Sequence, residues 1–265
     1  MILTSPKNPL IRQWRLLHTA KGRREQGLFL IEGTHLLQEA LATQWPLQAV
    51  CFTPAWAERH PHLLINLAPT LSTYTVSPEV LQALATTTTP DGVLAIAQRR
   101  DLSVPFPQFE LGIALETLQD PGNVGTIIRT AVAAQADGIW LTADSVDRDH
   151  PKLLRASAGQ WFRLPPRELR DPQDLFSYCR QQGIQILATT VDQAQPFWDV
   201  DLCRPSLLLM GNEGAGLSSP WIAAADQRIS IPMAASVESL NVAMSVGLIL
   251  YEAQRQRRQA GIPTI

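Results

Sequence analysis

From Leu111 onward, short apolar runs alternate with stretches of helical period, and this rhythm restricts the possible folds more than anything else in the chain. Residues 111–115, 138–141, 184–189, a run ending at Met210 and residues 229–231 read as strands. Residues 123–135, 152–158, 174–182 and 239–259 read as helices between or after them. Strand runs that are apolar throughout, separated by helices, imply a mostly parallel sheet buried on both faces in an α/β layer fold. Ligands in such folds sit beyond the carboxyl ends of the strands. That rule points to the loops after Leu115, Thr189, Met210 and Ile231.

The first hundred residues have a different texture. Leu10, Ile11, Trp14 and Leu17 recur at helical spacing, so residues 9–20 are expected to form an amphipathic helix. Residues 29–31, 49–52 and 92–97 suit strands, and 34–41 a helix, with Pro-marked turns and the threonines Thr86 to Thr89 between them. This is a small α/β unit of ordinary domain size. Residues 101–109, carrying Pro105 and Pro107, break both periodicities and are the expected linker. The expected domains are therefore 1–103 and 104–265.

Composition excludes several classes. At 45% hydrophobic and 17% charged residues the chain is neither disordered nor fibrous. No apolar run is long enough to span a bilayer and the N-terminus has no secretory signal, so the cytoplasm is the expected compartment. Cys51, Cys179 and Cys203 are widely spaced, and the five histidines form no cluster, so neither a disulfide framework nor a metal site is expected. The net charge of −2 hides an asymmetry. Residues 1–30 hold Lys7, Arg12, Arg15, Lys21, Arg23 and Arg24 against Glu25, a net +5 on a body of −7. Such a basic stretch is either a handle for a polyanion or a solvated helix face, and charge alone does not decide between them.

Three motifs carry chemistry. Glu116 to Thr130 passes from a strand through a Pro-Gly turn into a helix that Asn123 is expected to begin, with Arg129 nearly two turns on and roughly on the same side. The bland reading is that Asn123 is an N-cap and Arg129 a surface charge. The second motif, Gly211-Asn212-Glu213-Gly214-Ala215-Gly216, follows an apolar strand. Its glycine order is wrong for the dinucleotide fingerprint and no phosphate-loop Lys-Ser/Thr follows, but it permits close backbone approach to a ligand. A plain turn gains little from the carboxylate of Glu213. The third motif runs from Ile231-Pro232 to Ser239-Leu240-Asn241. Capping of the last helix by Ser239 accounts for one polar residue there, not both.

Together these blocks resemble the SpoU (TrmH-type) RNA 2′-O-ribose methyltransferases of the SPOUT class, over roughly residues 110–255. Ser5-Pro6-Lys7-Asn8-Pro9 and Phe29-Leu30-Ile31-Glu32-Gly33 resemble the small substrate-binding domain that precedes the catalytic domain in many members. The resemblance implies a C-terminal α/β-knot domain with a trefoil knot around residues 205–255, an exception to the usual avoidance of threaded chains. It also implies a homodimer and S-adenosylmethionine as methyl donor. Gly211, Ile231, Leu240 and Thr189 are then expected at the cofactor, and Arg129, Asn123, Glu213, Ser239 and Asn241 at the reacting ribose. Arg129 is expected to act electrostatically, since a guanidinium is hard to deprotonate. RNA is the implied substrate because it alone carries the 2′-hydroxyl, with Arg23, Arg24, Lys7, Arg12, Lys152 and Arg155 as its expected contacts.

Large-subunit ribosomal RNA is favoured, with transfer RNA as the alternative. A non-catalytic RNA-binding or ribosome-assembly factor is the competing class, opposed by the presence of every motif residue. Base-methylating SPOUT enzymes are closer rivals than any oxidoreductase.

Overall fold

A computed structural model describes residues 2–102, 106–191, 193–212 and 214–262. The elements, in chain order, begin with β1 (Ile2–Leu3), α1 (Pro9–Arg15), α2 (Ala20–Gln26), β2 (Leu28–Glu32), α3 (Thr34–Ala42) and β3 (Leu47–Phe52). Then come α4 (Pro54–Arg59), α5 (Pro61–Ile65), β4 (Ser72–Val76), α6 (Pro78–Leu84) and β5 (Val93–Gln98). The second half supplies β6 (Leu111–Leu115), α7 (Pro121–Ala133), β7 (Gly138–Thr142), α8 (Pro151–Ala156), β8 (Arg167–Leu169) and α9 (Pro172–Gln182). It ends with β9 (Gln185–Thr189), β10 (Gln195–Pro196), β11 (Ser206–Met210), α10 (Ser219–Ala224), β12 (Gln227–Ser230) and α11 (Val242–Gln259).

Two compact units result, one of residues 1–101 with 149–163 and one of 102–148 with 164–265. The first is built on a mixed sheet ordered β1-β4-β3-β5-β2, with β5 antiparallel to both β2 and β3. Ile11, Trp14 and Leu17 pack into its core with Val80, Leu84 and Ile96. The expected helix over 9–20 is broken after Arg15 by a short 3-10 turn. The next helix then starts afresh behind the Thr19 cap, whose side chain accepts from Gly22 N.

Segment 149–163 joins this first unit, a departure from the expected 1–103 division. The reasons lie in its side chains. Trp161 is buried against Phe29 and Trp45, at ring-centroid distances of 5.2 and 4.8 Å. Arg155 pairs with the buried carboxylate of Glu32 at 3.3 Å, and Arg163 pairs with Glu39. Burying two large aromatics and neutralising Glu32 favours this placement over solvent.

The second unit has a wholly parallel sheet ordered β10-β12-β9-β11-β6-β7-β8. Strands β6, β9 and β11 are buried nearly end to end, the pattern expected of strands covered on both faces. Part of the expected linker belongs to this core. Phe109 is buried and stacks near Trp140 at 4.9 Å, with Phe106 against Tyr178. Among the described residues no helix is long and apolar enough to cross a membrane, and no cluster of His, Cys, Asp or Glu is arranged to hold a metal.

The sheet order reverses beside β6. From β6 the chain steps outward through β7 and β8, then returns to build β9, β11 and β12 on the other side. The carboxyl ends of β6 and β11 therefore lie side by side at a topological switch point.

Candidate active site

Two loops meet at that switch point. After β6, Thr117 adopts a left-handed conformation (φ 55°) and its backbone N–H donates to Thr142 Oγ1 at 2.9 Å. Its hydroxyl donates to Asp144 at 2.8 Å. Hydrogen bonds from the side chains of Thr142 and Thr117 hold the Asp144 carboxyl below the usual range. After β11, the Asn212 amide donates to the Thr117 carbonyl at 2.9 Å, while its oxygen accepts from Gly214 N and Ala215 N. Asn212 thus binds the glycine turn to the β6 loop. Glu116 adds a second tie, accepting from Ser218 N at 2.8 Å and Ser218 Oγ at 2.5 Å.

Gly211 is required by close packing. A Cβ there would lie 2.1 Å from Gly216 C and 2.3 Å from Leu217 N, both backbone atoms that cannot swing aside. The turn closes on itself through paired backbone hydrogen bonds between Asn212 and Gly216 (3.1 and 2.8 Å).

The third block converges on the same place, with a correction to both expected helix starts. Asp120, not Asn123, caps α7, its carboxylate accepting from Gly122 N and Asn123 N with Pro121 in the first turn. Asn241, not Ser239, caps α11, accepting from Ala243 N and Met244 N at 3.0 and 3.3 Å. This leaves Asn123 free of capping duty, and the Asn241 amide nitrogen donates to Asn123 Oδ1 at 2.9 Å. Two amides 118 positions apart are thereby locked into one polar cluster.

Beside the pair lies a cavity of about 590 Å³. Met210, Leu217, Ile229 and Ile231 give it apolar walls, and Thr189, Leu240 and Ser239 line it as well. The Thr189 hydroxyl is engaged with the Leu209 carbonyl at 2.9 Å, so its contribution is the backbone and methyl. Gly211 is not part of the lining and acts by letting the wall close. Glu213 lies outside the described residues.

Arg129 needs a correction. Six positions of helix advance about 9 Å and rotate about 240°, so Arg129 and Asn123 do not share a face of α7. Arg129 is exposed and is not brought into hydrogen-bonding contact with the Asn123–Asn241 pair.

Two of the expected RNA contacts change character. Arg23 is 1% exposed, and its Nη1 donates to the carbonyls of Leu17 and His18 at 2.9 and 3.2 Å. It satisfies the end of the preceding helical turn and is withdrawn from any ligand. Arg155 is held by Glu32 and by Thr86 Oγ1, and it lies with Lys152 in the first unit instead of the second. Lys7, Arg12, Arg24 and Lys152 are exposed, and Arg12 and Arg15 flank a shallow depression with Leu16 and His18.

Glu116, Asp120 and Asn212 carry structural weight that the motifs did not single out. Asp120 had a signal, an Asp directly before Pro-Gly, which suits an N-cap followed by Pro at the first helical position. Glu116 and Asn212 had none, because their partners lie about a hundred residues away.

A parallel α/β sheet, a ligand cavity beyond the carboxyl ends of β9, β11 and β12 and a glycine turn in its wall define the class, an α/β methyltransferase of SPOUT type. The AdoMet complex of the SpoU methyltransferase AviRb from Streptomyces viridochromogenes superposes with a TM-score of 0.86 at 31% identity, over 95% of this chain and 99% of that one. In sequence, residues 110–251 match the SpoU rRNA Methylase family and residues 8–95 the MRM3-like substrate binding domain. An uncharacterized tRNA/rRNA methyltransferase of Synechocystis is 46% identical over 98% of this chain and 96% of its own length. The 23S rRNA (guanosine(2553)-2′-O)-methyltransferase RlmP of Bacillus subtilis is 28% identical over 94% and 97%. The chain belongs to the SpoU rRNA methylase family.

Proposed function

We propose that this protein transfers the methyl group of S-adenosylmethionine to a ribose 2′-hydroxyl in structured RNA, with large-subunit ribosomal RNA the favoured substrate. The observation that carries this reading is the Asn241–Asn123 hydrogen bond, since Asn241 directly follows Ser239 and Leu240 of the cavity wall in the chain and so sets an amide pair beside a cavity that the glycine turn also lines. The cavity fits such a cofactor in size and in its apolar walls, and Gly211 lets the turn that forms one wall close tightly on itself. When bound, the cofactor supplies an electrophilic methyl group on a sulfonium that departs as a neutral thioether.

The chain's own residues then have separable tasks. Asn123 and Asn241 orient the ribose, with Glu213 and Ser239 completing the polar set. Arg129 stabilises negative charge growing on the 2′-oxygen, a role suited to a fixed cation. Thr189, Ile231 and Leu240 shape the cofactor cavity. Exposed Lys7, Arg12, Arg24 and Lys152 engage RNA phosphates, which position the substrate without reading its sequence.

A homodimer is part of the proposal. Met244, Leu248 and Tyr251 recur at helical spacing on α11 and are 60%, 40% and 55% exposed, a continuous apolar stripe. Since α11 packs on α7, pairing through this stripe sets a second copy of α7 near the first, and Arg129 with it. The segment around 205–255 is read as the family's knot, and the cytoplasm, where ribosomal RNA is modified, as the compartment. The direct test is incubation with labelled S-adenosylmethionine and ribosomal RNA, followed by digestion to nucleosides. The expected product is a 2′-O-methylnucleoside. Label in a base, or label only when transfer RNA replaces ribosomal RNA, points to one of the rival substrates, and no label on either RNA supports the non-catalytic reading.

A further inference from the structure

The cofactor cavity has two chemically different ends. Its walls come from the carboxyl ends of β11, β9 and β12, three strands that neighbour one another. With strands about 4.8 Å apart, β12 stands roughly 14 Å across the sheet from β6, the strand that leads to Asn123. Ser239 and Leu240 line the end that adjoins the Asn241–Asn123 pair. Arg228 on β12 and Gln193 line the other. Arg228 is the one ionisable side chain among the described residues of the lining, and its Nη1 donates to Gln193 Oε1 at 3.4 Å.

We propose that Arg228, steadied by Gln193, is a cofactor-specificity residue that contacts the adenosine half of S-adenosylmethionine and sets the direction in which the cofactor lies. The proposal rests on the methyltransferase reading above. Its first support is positional. The transferable methyl group must lie near the ribose held by Asn123 and Asn241, so the sulfonium belongs at that end and one of its two long arms reaches toward Arg228. The second is electrostatic, because a guanidinium repels a sulfonium and keeps it at the end away from Arg228. The third is chemical. A planar guanidinium donates to purine ring nitrogens and also lies flat on an aromatic face. The competing role, a clamp on the cofactor's carboxylate, would put the amino-acid half at the end remote from Asn123.

Titration calorimetry with three ligands separates these roles: S-adenosylmethionine, S-adenosylhomocysteine and 5′-methylthioadenosine, the last lacking the amino-acid carboxylate. Arg228 is exposed, so Arg228→Ala is expected to keep the wild-type melting temperature. The variant should weaken all three ligands by a similar factor, about tenfold for one lost hydrogen bond from a charged donor. Gln193→Ala should cause a smaller loss of the same pattern. Weakening of the first two ligands with 5′-methylthioadenosine unaffected overturns the proposal in favour of the carboxylate clamp. Unchanged affinity for all three overturns it outright while leaving the methyltransferase reading intact. A wild-type protein that binds none of the three sinks both.

Discussion

A methyl group added to Gly211 would have to share space with the backbone of Gly216 and Leu217. The turn after β11 cannot keep its paired Asn212–Gly216 hydrogen bonds with such a group present. Gly211→Ala should therefore destabilise the protein by about 1–3 kcal/mol, the usual cost of overpacking, and abolish measurable S-adenosylmethionine binding. Thermal melting and calorimetry check the two effects. Asn241 acts differently, since it caps α11 and holds Asn123 at once. Asn241→Asp keeps the capping oxygen but removes the amide donor, so stability should stay within about 0.5 kcal/mol while methyl transfer falls by about tenfold or more. Equal loss of stability and activity would mean that the cap alone matters. Part of this was legible from residue type, since the first motif meets the third at Asn123–Asn241 and the second at Thr117–Asn212, while Arg129 is not brought to the pair. What the sequence hid was which member of each motif caps its helix, because Asp120 and Asn241 compete with near neighbours that are equally good caps.

Proline placement is the element-scale lesson. Pro54, Pro61, Pro78, Pro121, Pro151 and Pro172 look like turn markers in the sequence, yet each is the first residue of a helix. Proline lacks the N–H that a first helical residue would leave unpaired anyway, so it begins helices as readily as it ends them. Strand β4 was hidden for another reason. Its Ser-Thr-Tyr-Thr-Val sequence is half polar, and its place is fixed by parallel pairing with β1 and β3. Helix α2 shows how context overrides charge, with Arg23 turned inward on two carbonyls and Arg24 turned out. Arg23→Ala should lower stability by about 1–3 kcal/mol by leaving buried carbonyls unsatisfied. Arg24→Glu should leave melting unchanged and weaken RNA binding with a flatter salt dependence. Filter binding at several salt concentrations, beside a melting curve for each variant, distinguishes the two arginines.

At the scale of the whole molecule, the α/β alternation made the second unit's parallel sheet readable, and buried strands fixed its order less directly. Membership of 149–163 in the first unit was not readable, since it depends on Trp161 finding Phe29 and Trp45 far back in the chain. The proposed dimer belongs to this scale too. Leu248→Arg with Tyr251→Glu places charges on the exposed α11 stripe without entering the core. Light scattering should show the wild type as a dimer and the double variant as a folded monomer with strongly reduced methyl transfer. A wild-type monomer with full activity would contradict the dimer.

The central claim, ribose methylation of ribosomal RNA at the Asn123–Asn241 pair with Arg129 as the stabilising cation, is tested most directly by a ribose-methylation map of ribosomal RNA from cells with and without the gene. The account predicts loss of a 2′-O-methyl group from large-subunit rRNA in the deletion, restored by the wild-type gene and not by Arg129→Ala. An unchanged map, or full restoration by Arg129→Ala, would contradict it.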